Sequence, residues 1–499
     1  VSPTLSPGQL RSALAFAEAI IPGSPATPGA DEATVARVEE VIRSMAPQAV
    51  AAWSGVLSLL DEAVRLQKGK PFHALPRVEQ EKVLHAWEKS PVLRGPLHAL
   101  SYFFKIAHFD SPRTYAKMGG ELRVLNNVET ARWEQQIVSA RTWGEDASRS
   151  RDIEGEVVVV GTGAGGAVVG RELADSGYAV VFVEEGAYRK RNDFVGSFIH
   201  AHSNYFRNTW TLGSSPITLL MGKLVGGSTA VNTGTSLRPP PWVLDEWSER
   251  LDTDDFSLGA MTPYFDRVER ILQVSPAERR FIGPIADVVD RGCASYGWSA
   301  KAIPRNAVGC EGQGFCDYGC AAGARRSVEI SYLPGALEKG AMVITDLRAE
   351  RVILENGRAV GVSARDENGQ EIRIRGKAVI LAGGAVPTPM LLLRQGLANS
   401  SGEIGKNMSL HPSGGIAGVL DERLDPDKHI PQGYMVDEFL REGMLIVGAQ
   451  PDLNIAHMAF PFTGSRLMRA MDSLPHVAMF GAMIRDEARG RVWFDVKGN

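Results

Sequence analysis

The sequence predicts an α/β chain: a Rossmann-like dinucleotide-binding domain behind an all-α N-terminal block, with an incomplete α+β region at its far end. Three observations carry this. Glu156-Val-Val-Val-Val160 runs straight into Gly161-Thr-Gly-Ala-Gly-Gly166 and on to a helical stretch. The first 125 residues carry apolar side chains at helical spacing. Residues 348–384 alternate like a strand meander and close on the largely apolar run 377–382.

Four successive valines suit a strand buried on both faces. The glycines after it permit a tight turn and close approach of the backbone to a pyrophosphate, whose charge would sit at the positive end of the following helix. A second apolar strand, 179–183, ends on Glu184, 23 residues after Gly161. An acid there accepts hydrogen bonds from a ribose diol. Strand, glycine turn, helix, strand and terminal acid together read as a dinucleotide site; a lone Gly-x-Gly-x-x-Gly would not.

With 499 residues, two to four domains fit the length. A net charge of −4 gives no electrostatic footprint for nucleic acid, so none is expected as a partner. No apolar run reaches about 18 residues, so no transmembrane helix is expected. Val1-Ser-Pro-Thr4 has neither a Met nor a charged-then-apolar leader. The expectation is a soluble chain, cytoplasmic or exported to the periplasm after loss of an N-terminal signal. Four cysteines are too few for a disulfide scaffold, yet three fall within 11 residues.

In chain order, residues 1–125 form the helical domain. Ser6-Pro7 supplies a cap and an N1 proline, and Pro22-Gly23 stops the first helix. Further helices are expected from about 31, over 49–66, and from 76. Residues 97–108 are dense in Leu, Tyr, Phe and Ile, which predicts bundle core rather than a partner or lipid face. Residues 126–152 read as a short helix and linker, and 153–240 as the first part of the nucleotide domain. Residues 241–335 read as a cap region carrying the cysteines, 336–424 as the second part of the nucleotide domain, and 425–499 as the start of an incomplete substrate-binding domain.

Gly222-Lys-Leu-Val-Gly-Gly-Ser-Thr-Ala-Val-Asn-Thr-Gly234 has the small residues of a loop that passes close to a planar ligand, with Leu224, Val225 and Val231 as apolar anchors. Asn356-Gly357 and Asn368-Gly369 are hairpin turns. Residues 385–394 open a helix whose N-terminus points to where a ligand would lie.

These motifs, in this order over residues 153–499, resemble the glucose–methanol–choline family of oxidoreductases. Gly226-Gly-Ser-Thr-Ala-Val-Asn232 is similar to its flavin-contacting loop. Gly384-Ala-Val-Pro-Thr-Pro-Met-Leu-Leu-Leu393 is similar to its second signature, and Ile404-Gly-Lys-Asn-Met-Ser-Leu-His-Pro412 to the segment that follows. The N-terminal block resembles the small subunit of gluconate-type dehydrogenases, a fusion similar to the long-chain alcohol oxidase branch.

The resemblance implies FAD in a domain of the two-dinucleotide-binding type. It would be held by Gly161, Gly163, Ala164, Gly165, Gly166, Glu184 and Glu185. Gly222, Gly226, Gly227, Ser228, Asn232, Thr233 and Gly234 would join from the second loop, and Ala382 and Gly383 from the returning strand. It implies oxidation of a CH–OH group, of an apolar or long-chain alcohol, with oxygen or another electron acceptor. It also implies a His base in a His-x-x-Gly-Thr context, with a second His or Asn later. No such motif occurs, so the catalytic pair is expected beyond Asn499, in a longer polypeptide or a separate C-terminal chain. In that case the chain would be a cofactor-binding subunit. Among the residues present, His411, His457 and His476 are stand-ins, for each of which a structural role is expected. Residues 491–499 read as a strand followed by a turn without a second strand.

Cys310, Cys316 and Cys320 form a Cys-x5-Cys-x3-Cys array in a glycine-rich loop. Soft thiolates at this spacing can hold an iron–sulfur cluster or zinc; they can also be structural thiols or form one disulfide. The array resembles that of cluster-containing sugar dehydrogenases of the family, which would pass electrons from FAD to an external acceptor. Gly323-Ala-Arg-Arg-Ser327 equally resembles oxidase-like members. Cys293 is expected to be plainly buried.

Overall fold

The computed structural model of the chain describes residues 5–45, 49–120, 129–143, 152–212, 217–424, 428–450, 452–457 and 460–494. At its centre Val157–Val160, buried at all four positions, lies between Val180–Val183 and Ala378–Leu381. Met342–Thr345 and Ile137–Ser139 extend the sheet beyond Val180–Val183, and every pairing in it is parallel. Parallel strands need crossovers, and the helix Ala164–Asp175 supplies the first. Its small residues Gly166, Ala167 and Gly170 let it lie close on the sheet: a Cβ on Gly170 would sit 2.1 Å from the Phe182 ring.

The meander is an antiparallel run of Arg348–Glu355, Arg358–Arg365 and Glu371–Arg375, with Asp152–Glu154 added in parallel at its edge. Asn356 and Gly357 both have positive φ, 50° and 78°, as the first tight hairpin requires. A third sheet, antiparallel throughout, has the order Ser413–Val419, Val477–Ile484, Met444–Ala449, Gln432–Val436, Ala300–Ala302. Its edge strand Ser413–Val419 is exposed at all seven positions.

The helical block begins as its caps dictate. Ser6 and Gln9 form a capping box on Pro7–Ile20, and Glu32–Met45, Val50–Lys68, Arg77–Lys89 and Arg94–Phe109 follow. Leu97, Leu100, Phe104 and Ala107 are each fully buried at i, i+3, i+4 spacing, as a bundle core requires. The block is not self-contained, however. Its core is continuous with Phe194, Phe198, Tyr205, Phe315, Phe460 and Leu467 from later in the chain.

Two local expectations differ. The segment around 137, read as linker, supplies the edge strand Ile137–Ser139; three residues of mixed polarity carry no strand signal until Met342–Thr345 offers a ladder. Residues 121–128 and 144–151 of that stretch lie outside the described residues. At the other end, 491–494 form no strand, because Val492 donates its N–H to the Gly405 carbonyl at 2.6 Å and Gly490 pairs with Met408 in an isolated bridge. Residues 495–499 lie outside the described set. No helix among the described residues is long and apolar enough to cross a membrane.

Polar groups buried at the seam join the helical block to the rest. The Asp110 carboxylate accepts from Ser197 Oγ (2.7 Å), the Phe198 and Ile199 amides (2.8 and 3.0 Å) and Asn454 Nδ2 (2.8 Å). Tyr115 Oη donates to Asp452 Oδ1 at 2.5 Å. Burial pushes the Asp452 carboxyl up to about 7, against the lowering effect of the Tyr115 and Leu453 donors. An unfolded Asp titrates near about 3.9. Between those values the folded chain holds a proton that the unfolded chain lacks. The stability from Asp452 is therefore full below about pH 4 and is lost as pH rises through about 7. Asp452→Asn carries no such titration, so the variant should gain on the wild type in urea unfolding as pH rises across that window. A stability difference independent of pH would contradict this reading.

Candidate functional site: the glycine cleft

A cavity of about 590 Å³ opens where the central strands end. Gly161, Gly163, Ala164, Gly165, Glu184, Glu185, Gly222, Gly227, Ser228, Ala382 and Gly383 all line it. Gly166, Gly226, Asn232, Thr233 and Gly234 are not in its wall.

The glycines divide by role. Gly161 has φ 94°, and a Cβ there would meet the Ala382 carbonyl oxygen at 2.4 Å. A Cβ on Gly166 would lie 2.0 Å from the Gly161 carbonyl oxygen, so this glycine serves turn and helix packing. Gly163 differs: a Cβ there meets nothing nearer than the Gly227 Cα at 3.9 Å. Gly163 is also the N-cap of Ala164–Asp175, which no side chain caps. The helix therefore presents its first amides and the positive end of its dipole to the cleft.

Glu184 sits at the base of this turn, 7% exposed. Its Oε2 accepts from the Thr162 amide (3.0 Å) and Oγ1 (2.7 Å), and its Oε1 from the Gly186 amide (2.9 Å). Burial raises its pKa, and these donors oppose the rise. Thr162 Oγ1 also accepts from the Gly226 amide at 3.1 Å, tying the first glycine turn to the second loop. Gly226, with φ 95°, thus supports the wall from behind.

Asn232, Thr233 and Gly234 face the cap region. Asn232 Nδ2 donates to the Ser228 carbonyl (3.1 Å), and its Oδ1 accepts from the Gly234 amide (2.8 Å). Thr233 Oγ1 donates to Gln432 Oε1 at 3.0 Å.

The wall holds residues that sequence reasoning passed over: Arg207, Thr209 and Lys223 with Met221, Arg348, Glu350, Thr388 and Arg394. Arg207 pairs with Glu185, and Lys223 lies 3.7 Å from the same carboxylate. They come from the hairpin Phe206–Trp210 with Thr218–Gly222 and the residue after it. That hairpin lacks an Asn-Gly or Asp-Gly turn, the one short-range signal that would have revealed it.

None of the stand-in histidines reaches the cleft. His457 is buried with its ring stacked on Phe109 at 5.0 Å, and burial holds its pKa well below the usual value. His476 Nδ1 lies 3.0 Å from the Glu422 carbonyl oxygen, and His411 is exposed beside the edge strand Ser413–Val419.

The metal reading of Cys310, Cys316 and Cys320 is corrected. Among the described residues no three His, Cys, Asp or Glu side chains are grouped to hold a metal ion. Each sulfur accepts from a different local donor: Cys310 from the Gly312 amide (3.4 Å), Cys316 from Arg305 Nη2 (3.2 Å) and Cys320 from the Arg325 amide (3.5 Å). Burial raises the pKa of Cys310 and Cys316. All four cysteines are free, and Cys293 is buried.

A parallel sheet with a glycine turn at its carboxyl edge, a helix N-terminus and a returning strand defines a nucleotide-binding protein of Rossmann type. A sequence model described as GMC oxidoreductase matches residues 155–413, and one described as gluconate 2-dehydrogenase subunit 3 matches residues 7–110. An uncharacterised GMC-type oxidoreductase of Mycobacterium tuberculosis (strain ATCC 25618 / H37Rv) is 37% identical over 347 residues, 68% of this chain and 54% of that protein. A long-chain-alcohol oxidase of Arabidopsis thaliana is 32% identical over 294 residues, 56% of this chain and 38% of its own. Among solved structures, a formate oxidase of Aspergillus oryzae RIB40 superposes with a TM-score of 0.52 at 14% identity, covering 70% of this chain and 76% of that one. The chain belongs to the GMC oxidoreductase family. It spans about half the length of the first curated relatives it matches.

Proposed function

We propose that the cleft holds FAD and that the chain is the cofactor-bearing part of an enzyme oxidising the CH–OH group of an apolar, long-chain alcohol. One observation carries the cofactor reading: the helix N-terminus at Gly163 is uncapped and faces a cavity into which no side chain projects from that residue. Family membership selects FAD among dinucleotides, and a formate oxidase of the same fold is described as carrying a modifiable FAD. FAD, when bound, supplies a hydride acceptor for an alcohol carbon.

The residues present fit such a group. The amides at Gly163–Gly165 would meet the pyrophosphate, and Glu184 would accept from a ribose hydroxyl, while Arg207 and Lys223 neutralise Glu185 in the same wall. Ser228 and Thr229 line the opposite wall, and the helix Pro387–Gln395 closes the cleft with its first turn. The substrate class rests on the plant relatives, which are named long-chain-alcohol oxidases.

Removing the hydroxyl proton needs a base, and imidazole suits neutral pH. No histidine is among the described residues lining this cleft, and we propose that the base comes from polypeptide outside residues 1–499, either the same protein or a partner chain. The relatives' greater length supports this, as does Ser413–Val419, an edge strand with Ile416 74% and Val419 67% exposed.

The test is anaerobic mixing of the FAD-loaded chain with a series of primary alcohols while following the visible flavin absorbance. The chain alone should not bleach; joined to its completing polypeptide it should, faster with longer alkyl chains. Bleaching by the isolated chain would place the base within it, and no bleaching by any alcohol in the completed protein would refute the reaction class.

A further inference from the structure

The cysteine-bearing segment, which does not assemble a metal centre, contributes two buried guanidinium groups aimed at the second glycine loop. Arg325 is 2% exposed and Arg305 3% exposed. Arg325 Nη1 donates to the carbonyls of Asn232 and Cys316, and its Nη2 donates to the carbonyl of Ala230. Arg305 Nε donates to the Thr233 carbonyl at 3.1 Å, its Nη2 to the same oxygen and to Cys316 Sγ at 3.2 Å.

Backbone amides of the cysteine-bearing segment add to these bonds. The Val328 amide donates to Thr229 Oγ1 at 3.2 Å, the Asn306 amide to the Gly234 carbonyl at 3.1 Å, and the Arg326 amide to the Asn306 carbonyl at 2.7 Å. Thus the carbonyls of residues 230, 232 and 233 all turn toward the arginines, while Gly227, Ser228 and Thr229 of the same loop line the cleft. A guanidinium is a planar fork able to serve several acceptors at once, which an ammonium of the same charge cannot reproduce. The Ala230 carbonyl is buried, and leaving it without a donor would be costly, so the loop's shape depends on the fork.

We infer that Arg325, backed by Arg305, is a positioning residue for the cofactor: it clamps residues 226–234 in the conformation that presents Gly227, Ser228 and Thr229 to the cleft. This rests on the FAD reading, and it gives the glycine–cysteine segment a role that neither the sequence motif nor the family match assigns. Arg325 is not itself among the residues that line the cleft.

The experiment compares Arg325→Met, Arg325→Lys and the wild type, with Leu57→Ala as a control that empties a fully buried position in the helical block. Two quantities are read: amide hydrogen exchange over residues 226–234 in the ligand-free chain, and the FAD dissociation constant by quenching of flavin fluorescence. Arg325→Met should speed exchange in that loop selectively and weaken FAD binding by about tenfold or more, about 1.4 kcal/mol. Arg325→Lys should fall between it and the wild type, and Leu57→Ala should lose stability with FAD affinity unchanged. A folded Arg325→Met variant with wild-type exchange and wild-type affinity overturns the proposal. If Arg325→Met fails to fold, Arg305→Lys is read by the same two criteria. If the wild type itself binds no FAD, the cofactor reading fails, while the exchange measurement still decides for or against the clamp.

Discussion

Gly163→Ala should fold as stably as the wild type and yet bind FAD at least about tenfold more weakly, whereas Gly166→Ala should lose both stability and binding. The two glycines are three residues apart in one turn, and the contrast follows from their surroundings. A methyl group on Gly163 finds its nearest neighbour at 3.9 Å, an ordinary contact, and Gly163 lines the cleft. Its backbone is already extended, φ −70° and ψ −166°, so alanine adds no strain. The methyl would occupy the space into which the helix amides open, where a pyrophosphate must come close to the backbone. A methyl on Gly166 instead falls 2.0 Å from the Gly161 carbonyl oxygen and 3.2 Å from Val159 Cγ1. Backbone must move to admit it, at a cost of about 1–3 kcal/mol or more, and the piece that moves is the turn itself. Denaturant unfolding and FAD titration on both variants check this. Equal behaviour of the two would mean that the turn has no ligand-facing side.

Asp110→Ala should destabilise the protein by on the order of 3 kcal/mol and loosen the helical block from the rest. The carboxylate stands at the end of Arg94–Phe109 and accepts four hydrogen bonds, two of them from the first amides of the helix Phe198–Asn204. That helix leads into the hairpin carrying Arg207, so the block is coupled to the cleft through one short element. Alanine leaves buried donors unpaired and deletes an N-terminal anion at once. Asp110→Asn keeps an acceptor oxygen and should cost less. Thermal unfolding, with limited proteolysis reporting release of the helices, measures both; wild-type stability for Asp110→Ala would show that the seam does not depend on this carboxylate.

What the sequence announced and what it concealed follow from the range of the interactions involved. Ser6-Pro7, the four valines before Gly161, and Asn356-Gly357 are local signals, and each marks the element observed. The cleft wall contributed by residues 161, 163–165, 184–185, 222, 227–228 and 382–383 was legible because glycine at a tight turn leaves a pattern in the chain. Arg207, Arg348 and Arg394 were not, since an arginine on an ordinary strand or helix looks the same whether it faces solvent or a cavity. The cysteine array misled for a related reason: spacing says where thiols sit along the chain, but the local turns point each sulfur at its own donor. The role of Arg325 depends on carbonyls 93 and 95 residues away, a separation that leaves no mark in a sequence read locally.

FAD binding in the glycine cleft underlies every functional step proposed above. Equilibrium titration of the flavin-stripped chain with FAD, set beside the same titration with NAD, tests it most directly. The expected result is saturable binding of one FAD per chain, weakened at least about tenfold in Gly163→Ala, and no comparable affinity for NAD. Failure to bind FAD, or binding that Gly163→Ala leaves untouched, would contradict it.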